Sequence, residues 1–300
     1  MNHESTSYRL FKVGNTVLLT ILVLIMVFPY LNVLAYALND PLDSRFGGIT
    51  FYPRVLSFAN FDMLLSNPDI VQATIVSVLR VVVGTAFALA VQYTCAYAFT
   101  LRGLKGRGFL LMFLMIPMYF GGGLIPVYLL YSKMHILNHF LVYVLPVSFS
   151  LYNMVIIRSY LYTIPESLAE SARMDGANEF MIMLRIYVPL SMPILAVMAL
   201  WTAVYHWNDW TTTLYFVTDK DLYTLQYILM QILKEGERMA SLFQEAIRSG
   251  TANSANAQPQ VTPQAIRAAN IILTTLPIVL VYPFLQKHFV KGVTLGAVKE

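Results

Sequence analysis

The chain has 300 residues, of which 57% are hydrophobic and only 12% are charged. Its mean hydropathy of +0.61 is a value that a soluble domain of this length rarely reaches, so the composition indicates an integral membrane protein and argues against a soluble enzyme. The net charge of +4 requires no nucleic-acid partner, because basic inner loops explain it, and a single cysteine excludes a disulfide framework and a thiolate metal site.

Six apolar runs, each long enough to cross a bilayer, follow one another along the chain. The first, 17–38, spans roughly 33 Å as a helix, and its length favours an uncleaved helix over a secretory signal. The other five are predicted at 70–100, 109–131, 140–161, 186–207 and 265–289. Prolines and three consecutive glycines interrupt the third run, which indicates either a bend along a substrate path or a packing contact. The sequence therefore predicts an all-α polytopic membrane protein with six transmembrane helices.

The segments between the runs carry weaker signals. The glycine cluster at 102–108 is interpreted as a basic inner turn, because it lacks the ending of a phosphate loop and no strand precedes it. His135 and His139 have metal-ligand spacing but no third ligand nearby, so interfacial loop residues are the better interpretation. The long polar segment 208–263 is predicted to be an outer loop that is helical around 222–247.

An island of charge at 165–189 lies between the fourth and fifth runs. Polar groups of this density cannot lie in hydrocarbon, so the segment is predicted to sit in water. Its pattern predicts two short helices joined at Gly176, because glycine takes a positive φ that other residues reach only at a cost. Pro165 suits the first turn of the first helix, and Asn178 suits the cap of the second. The predicted apolar sides of the two helices are formed by Leu168, Ala169 and Ala172, and by Phe180, Met183 and Leu184.

The distribution of basic residues predicts the orientation. With six spans and an inner N-terminus, eleven Lys and Arg residues fall on inner segments, namely Arg9, Lys12, Arg102, Lys105, Arg107, Arg158, Arg173, Arg185, Lys287, Lys291 and Lys299. The two short outer loops hold only Arg45, Arg54 and Lys133. This bias predicts that both termini and the charged segment are cytoplasmic.

The charged segment also carries a family resemblance. Its residues Glu170-Ser171-Ala172 and Asp175-Gly176-Ala177, followed by Ile186, Pro189 and Pro193, resemble the EAA loop of bacterial ABC importer permeases of the carbohydrate type. Ser171 departs from the alanine that is usual in the family, but both residues are small enough for close packing. The tail at 289–299 is also similar to the end of carbohydrate permeases, and the resemblance covers the chain from about residue 70 to its end.

The resemblance implies a type I ABC importer permease fold with a cytoplasmic coupling helix that inserts into a cleft of an ATPase subunit. The implied domains are an N-terminal part, 1–69, with the first helix and an outer loop, then a transmembrane domain, 70–290, and a cytoplasmic tail, 291–300. The coupling loop would lie at 164–186 and the long outer loop at 208–263. The implied coupling residues are Leu168, Glu170, Ser171, Ala172, Asp175, Gly176, Ala177 and Phe180.

The implied partners are a second homologous permease, two ATPase subunits and an external solute-binding protein that the long outer loop would contact. The sequence contains no Walker A motif, no hydrolase motif and no paired carboxylates within the apolar runs, so it is expected to be a non-catalytic subunit. ATP and magnesium would belong to the ATPase subunits, and this chain is expected to bind no cofactor and no metal. The chain is expected to lie in the lipid bilayer of the bacterial inner membrane and to transport a sugar or oligosaccharide. No nucleic-acid partner is expected.

Arg80 is the one charge deep within an apolar run, where a charge is expensive unless it faces a cavity or a partner. Two alternatives stay open: it lines the pathway and attracts an acidic, uronate-containing sugar, or it pairs with a helix of the other permease. Further candidates for the substrate pathway, able to stack on a sugar or bind its hydroxyl groups, are Tyr119, Tyr128, Asn153 and Tyr205.

Other function classes stay open beside the sugar importer. The chain could be an ABC permease for a different solute. A secondary transporter would need coupling carboxylates within its spans, and a membrane enzyme would need a convergent acid, base or metal cluster. The apolar runs show neither pattern.

Overall fold

A computed structural model describes residues 6–249 and 263–297 of the chain, and its regular elements are helical. Among these residues, Asn39 and Leu56 form an isolated antiparallel β-bridge. In chain order, the α-helices are α1 Thr6–Ala37, α2 Ala59–Leu65, α3 Asp69–Ala98, α4 Arg107–Tyr119, α5 Leu124–Lys133, α6 Leu141–Val144, α7 Leu151–Leu161, α8 Glu166–Met174, α9 Glu179–Ile182, α10 Val188–Leu190, α11 Met192–Asn208, α12 Thr211–Phe216, α13 Leu225–Arg248 and α14 Pro263–Ala297.

Three helices of the described part are long and apolar enough to cross a membrane, namely α1, α3 and the first part of α14. Two bent pairs raise the number to five if each pair is one span: α4 with α5, bent by 116°, and Glu179–Leu190 with α11, bent by 83°. The first bend lies at the three glycines that predicted it. The all-helical polytopic fold is thus confirmed with three to five candidate spans, whereas the number six stays a prediction.

The fourth apolar run, 140–161, does not form the continuous helix that was predicted. It contains the short α6 and the longer α7, and residues 145–150 between them are not helical. Pro146 gives the physical reason, because a proline within a helix removes one backbone donor and clashes with the preceding turn. The prediction overlooked this proline within an otherwise uniform apolar stretch.

The fifth apolar run, 186–207, is also not one straight helix. A turn of π-helix at Met183–Tyr187 and the short α10 precede α11, and the bend lies at Ser191. The Ser191 hydroxyl donates to the carbonyl of Tyr187 at 2.6 Å and contacts the hydroxyl of Tyr93 at 2.7 Å. Pro193 at the start of α11 has no N–H to donate to the preceding turn, so the helix breaks here, and the buried contact of Ser191 holds the bend in place.

The described residues divide into two compact units. The first comprises 6–68 and 229–276, excluding 250–262, and contains α1, α2 and the loop between them. Asn39 is fully buried in this loop, and its side-chain oxygen accepts from the backbone N–H groups of Arg54 and Val55 at 2.8 and 3.1 Å. The loop that follows the first apolar run is therefore an ordered segment with its own hydrogen bonds.

Several predicted boundaries shift along the chain. The polar residues from Thr6 onwards already belong to α1, and α14 continues to Ala297, into the segment predicted as a tail. The helix predicted around 222–247 is confirmed as α13. Residues 250–262, which belong to the segment predicted as a long outer loop, and residues 298–300 lie outside the described residues.

The second unit comprises 69–228 and 277–297, and α3 is its central helix. Its core residues come from α3, α7, the charged segment and α11, and include Tyr93, Ala96, Met154, Ile157, Leu161, Ala169, Ile182 and Met198. Helices α3 and α11 approach closely at Gly84, where an added Cβ would lie 2.5 Å from Nε2 of His206. Because interiors pack without spare volume, only glycine fits this contact.

Candidate functional site

The charged segment folds as a helical hairpin, 165–189, as its sequence predicted. Helices α8 and α9 are joined at Gly176, whose φ of +83° is the left-handed conformation that favours glycine. Asn178 caps α9, since its side-chain oxygen accepts from the backbone N–H of Met181 at 2.8 Å. Pro165 directly precedes α8 and is not its first residue, a shift of one position from the prediction.

The hairpin presents a mixed apolar and acidic surface. The exposed members of the predicted coupling set are Leu168, Glu170, Ser171, Asp175, Gly176 and Phe180. Within residues 6–249 and 263–297, neither Glu170 nor Asp175 forms an ion pair. Ala172 and Ala177 instead pack against the core of the unit, so they seat the hairpin on its own chain. The predicted set thus offers a partner one acidic rim and two large apolar side chains, Leu168 and Phe180. Met174, which was not predicted, is also exposed at the end of α8.

Three residues tie the hairpin to the end of α3. The Tyr97 hydroxyl donates to Oε2 of Glu179 at 2.7 Å, and Nε of Arg173 donates to Oε1 of the same carboxylate at 2.7 Å. The Arg173 guanidinium holds the pKa of Glu179 below its ordinary value, against the opposing effect of partial burial. Because Arg173 lies on α8 and Glu179 begins α9, this Glu179 link closes the hairpin and fastens it to α3.

The contacts of Glu179 with Tyr97 and Arg173 were not predicted from the sequence. Tyr97 and Glu179 are 82 positions apart, and a tyrosine at the end of an apolar run carries no local signal of a partner. A second contact at the same end joins Arg102 to Glu166, between exposed side chains. The guanidinium groups of Arg107 and Arg158 lie over the ring of Tyr162, at 5.6 and 5.2 Å from its centroid.

A cavity of about 380 Å³ opens beside the broken fourth run. We call it the Gln92 cavity, and it lies between Gln92 of α3, the non-helical segment 146–150, α7 and α11. Two of the predicted pathway residues, Asn153 and Tyr205, line it. Its other polar and aromatic lining residues, Gln92, Ser150, Trp201 and Thr202, were missed, because they face one another only after Pro146 has broken the helix.

The remaining pathway candidates lie elsewhere. Tyr119 ends α4 with an exposed side chain, and Tyr128 stacks on Phe216 with ring centroids 6.2 Å apart. Neither residue lines the Gln92 cavity, and their role in a pathway stays a prediction.

Arg80 has a partner that neither sequence alternative named. Its side chain is fully buried, it forms an ion pair with the carboxylate of Asp209, and its Nη1 donates to the Asp209 carbonyl at 2.7 Å. The guanidinium carbon lies 4.6 Å from the centroid of the Tyr143 ring. The prediction of a pair with the other permease is corrected, because the partner belongs to the same chain. Because no atom of Arg80 is exposed in this conformation, the structure does not support a role for it in the substrate pathway.

His135 and His139 do not converge on a metal site. His135 has a positive φ of 55°, and Nδ1 of His139 accepts from the backbone N–H of Leu141 at 3.2 Å. Within the part of the chain that the structure describes, no group of three His, Cys, Asp or Glu residues could hold a metal ion. Both histidines lie in a turn, which agrees with their interpretation as loop residues.

Comparison with known proteins gives consistent similarities over almost the whole chain. The family model described as "Binding-protein-dependent transport system inner membrane component" matches residues 5–295. Protein LplC of Bacillus subtilis (strain 168) is 33% identical over 298 residues, covering 99% of this chain and 97% of LplC. The polygalacturonan/rhamnogalacturonan transport system permease protein YtcP of the same organism is 32% identical, covering 97% of this chain and 99% of YtcP.

A solved structure is similar in fold. It is a chain of a bacterial ABC transporter involved in the import of the acidic polysaccharide alginate, with a TM-score of 0.79. The match covers 96% of this chain and 100% of that chain, at 23% sequence identity. At this identity the likeness concerns the fold.

Proposed function

This chain belongs to the family of binding-protein-dependent transport system inner membrane components, and from that premise we propose how it works. It is the transmembrane permease of an ATP-driven importer, and it passes a sugar or oligosaccharide from an external binding protein to the cytoplasm by alternating access. The exposed hairpin fastened to α3 by the Glu179 link is the observation that carries this proposal. A coupling element must offer a free surface to its partner and a firm connection to the helices that it moves, and this hairpin has both.

The proposed mechanism follows from these contacts. ATP binding closes two separate ATPase subunits, and the hairpin, seated in a cleft of one of them, moves as a rigid body. Leu168 and Phe180 fill the cleft, and Glu170 and Asp175 pair with basic or amide groups around it. The Glu179 link passes the movement to α3, which changes the access to the pathway between this chain and a second, homologous permease. ATP and magnesium belong to the ATPase subunits.

The proposed topology has six spans in the bacterial inner membrane, with both termini and the hairpin in the cytoplasm. The excess of basic residues on the inner segments supports this orientation. The long segment 208–263 then lies outside and contacts the solute-binding protein. The exposed apolar side chains of Met239 and Leu242 on α13 support this contact, because they give the outer helix a surface for a partner.

A sugar cargo is supported by the relatives. YtcP is described as a permease for polygalacturonan and rhamnogalacturonan, and the similar solved structure comes from an alginate importer. An acidic cargo was first suggested by Arg80. Because Arg80 is buried and paired with Asp209, recognition of an acidic sugar would have to come from other residues or from another subunit.

The proposal is tested by purifying the chain together with its second permease and candidate ATPase subunits. We expect the ATPase to co-elute, and we expect Glu170→Ala or Phe180→Ala to weaken both co-elution and substrate-stimulated ATP hydrolysis. Asp62→Ala, at an exposed aspartate on α2, is the matched control and should change neither. ATP-independent uptake by this chain alone would refute the proposal.

A further inference from the structure

The Gln92 cavity contains polar atoms that have no partner in the protein. Gln92 is 1% exposed and its Nε2 donates to the carbonyl of Ser148 at 3.2 Å, whereas its Oε1 has no partner among the described residues. Thr202 is 7% exposed, and its Oγ1 is likewise unpaired within this part of the chain. A buried polar atom without a hydrogen bond costs roughly 1–3 kcal/mol, so both atoms are placed for a ligand that fills the cavity.

The identity of these atoms restricts the chemistry of the ligand. One N–H of Gln92 Nε2 is engaged by Ser148, and the unpaired atom is the acceptor Oε1, which requires a donor such as a hydroxyl group. A carboxylate is an acceptor when ionised, so it would face Oε1 without a hydrogen bond between them. The described lining residues include no Asp, Glu, Lys, Arg or His that could compensate an ionised group. The cavity therefore suits a neutral ligand that is rich in hydroxyl groups.

The aromatic residues of the cavity add a flat apolar surface. Trp201 is 47% exposed. The ring of Tyr152, which does not line the cavity, is stacked on Trp201 with ring centroids 6.4 Å apart and ring planes 15° from parallel. Tyr205, which is half exposed, lines the same cavity one turn further along α11. Such rings bury much area at a small cost in conformational entropy, and the cavity has a volume within the range of about 300–1,000 Å³ typical of small-molecule sites.

We infer that the Gln92 cavity is a carbohydrate subsite for an uncharged sugar unit, which lies against Trp201 and donates hydroxyl groups to Gln92 Oε1 and Thr202 Oγ1. The inference rests on the proposed function and deepens it, because it names the class of sugar that this chain itself recognises. If the cargo of the complex carries acidic units, the groups that bind their carboxylates lie on the other permease or on the binding protein.

Matched substitutions separate recognition from structure. Thr202→Val keeps the shape of the side chain and removes a hydroxyl that has no protein partner, so the thermal stability of the sugar-free protein should not fall. Thr85→Val makes the same change at a second buried, unpaired hydroxyl, which lines an apolar groove elsewhere on α3 and serves as the control. Trp201→Ala removes the stacking surface, and Trp201→Phe retains part of it.

The measurement is a titration, by saturation-transfer NMR, of the full chain in nanodiscs together with its second permease. The probes are two neutral trisaccharides, maltotriose and arabinotriose, and the acidic trigalacturonate. We expect at least one neutral probe to bind saturably, and trigalacturonate to bind at least about tenfold more weakly. Thr202→Val should weaken the neutral probe roughly three- to tenfold and Trp201→Ala about tenfold or more, whereas Trp201→Phe and Thr85→Val should have little effect.

Three results would overturn the inference: no binding of either neutral probe, trigalacturonate binding as tightly as the neutral probes, or equal effects of Thr202→Val and Thr85→Val. ATPase assembly and stimulated hydrolysis, measured on the same variants, distinguish this failure from failure of the proposed function. If the cavity variants bind sugar normally and hydrolysis stays coupled, the inferred subsite is refuted and the proposed importer function is not. If the unsubstituted chain does not assemble with the ATPase subunits, the proposed importer function is refuted.

Discussion

Two positions along α3 are each held by an arginine–carboxylate network that includes a tyrosine, but the two networks differ in burial. Within the helix, Arg80 and its partner Asp209 have side chains that are 1% and 8% exposed. At the C-terminal end of the helix, the pair of Arg173 and Glu179 that engages Tyr97 has side chains that are 39% and 44% exposed. Breaking a buried pair costs about 3–5 kcal/mol, whereas a surface pair contributes about 0–1 kcal/mol.

This difference suggests a division of labour along one helix. Tyr97 and Arg80 are separated by 17 positions, or roughly 25 Å of helix. The buried pair of Arg80 and Asp209 joins α3 firmly to the start of α12, so these elements are expected to move as one body. The exposed Glu179 link can open and close at little cost, which suits a joint that must transmit movement in a cycle.

The largest effect is expected from Arg80→Gln. The substitution leaves the Asp209 carboxylate buried without its cation, so we expect the free energy of unfolding to fall by about 3–5 kcal/mol. This free energy is measured by denaturing the purified protein in detergent. The double variant Arg80→Gln/Asp209→Asn should be less destabilised than the sum of the single variants, because each single substitution breaks the same pair. Simple additivity would show that the pair contributes nothing.

Gly176→Val is expected to have the next largest effect, and only at the hairpin. No atom lies within 4 Å of the added Cβ, so the cost comes from the φ of +83° and amounts to about 1–3 kcal/mol of local strain. We expect the protein to insert normally but to lose ATPase assembly or stimulated hydrolysis. Gly176→Asn is the control, because asparagine reaches this conformation more readily. Normal substrate-stimulated hydrolysis by the valine variant would contradict the role of the hairpin.

Glu179→Gln should leave stability almost unchanged and impair coupling. The exposed ion pair with Arg173 contributes less than about 1 kcal/mol, so the unfolding midpoint should move little. The number of sugar molecules imported per ATP hydrolysed should nevertheless fall, because the hairpin is less firmly attached to α3. Asp62→Asn, at an exposed aspartate on α2, provides the comparison. An unchanged transport ratio would remove the Glu179 link from the proposed mechanism.

The smallest effect is expected from acid. The pKa of Glu179 is lowered from its ordinary value of 4.5, so its contribution is fully present above that pH and is lost as the pH falls below it. Amide hydrogen exchange of the hairpin, corrected for the intrinsic pH dependence, should become slightly faster below pH 4.5. The Glu179→Gln variant should lack this change. An identical pH response in both proteins would assign it to another group.

Local patterns accounted for the features that depend on neighbouring residues. The spans α1 and α3, the break at Gly121 to Gly123 and the two-helix hairpin follow from hydropathy, turn residues and caps within a few positions. The exceptions are also local in origin but weaker in signal. Pro146 broke the fourth run and Pro193 bent the fifth, because a proline removes one backbone donor even within a uniform apolar stretch. The hydrogen bonds of Ser191 then hold the second bend in place.

The sequence by itself determined the class of protein, the position of the hairpin and its charge, because hydrocarbon excludes dense polar groups wherever the chain folds. Only the tertiary structure decided the partners of its charged residues. Arg80 and Asp209 are 129 positions apart and Tyr97 and Glu179 are 82 apart, so no local pattern joins them. The Gln92 cavity has the same origin, since its walls come from helices that meet only when α3 packs between α7 and α11. Long-range packing therefore turned a lone buried charge from a substrate-site candidate into a structural pair, and placed the sugar-site candidates elsewhere.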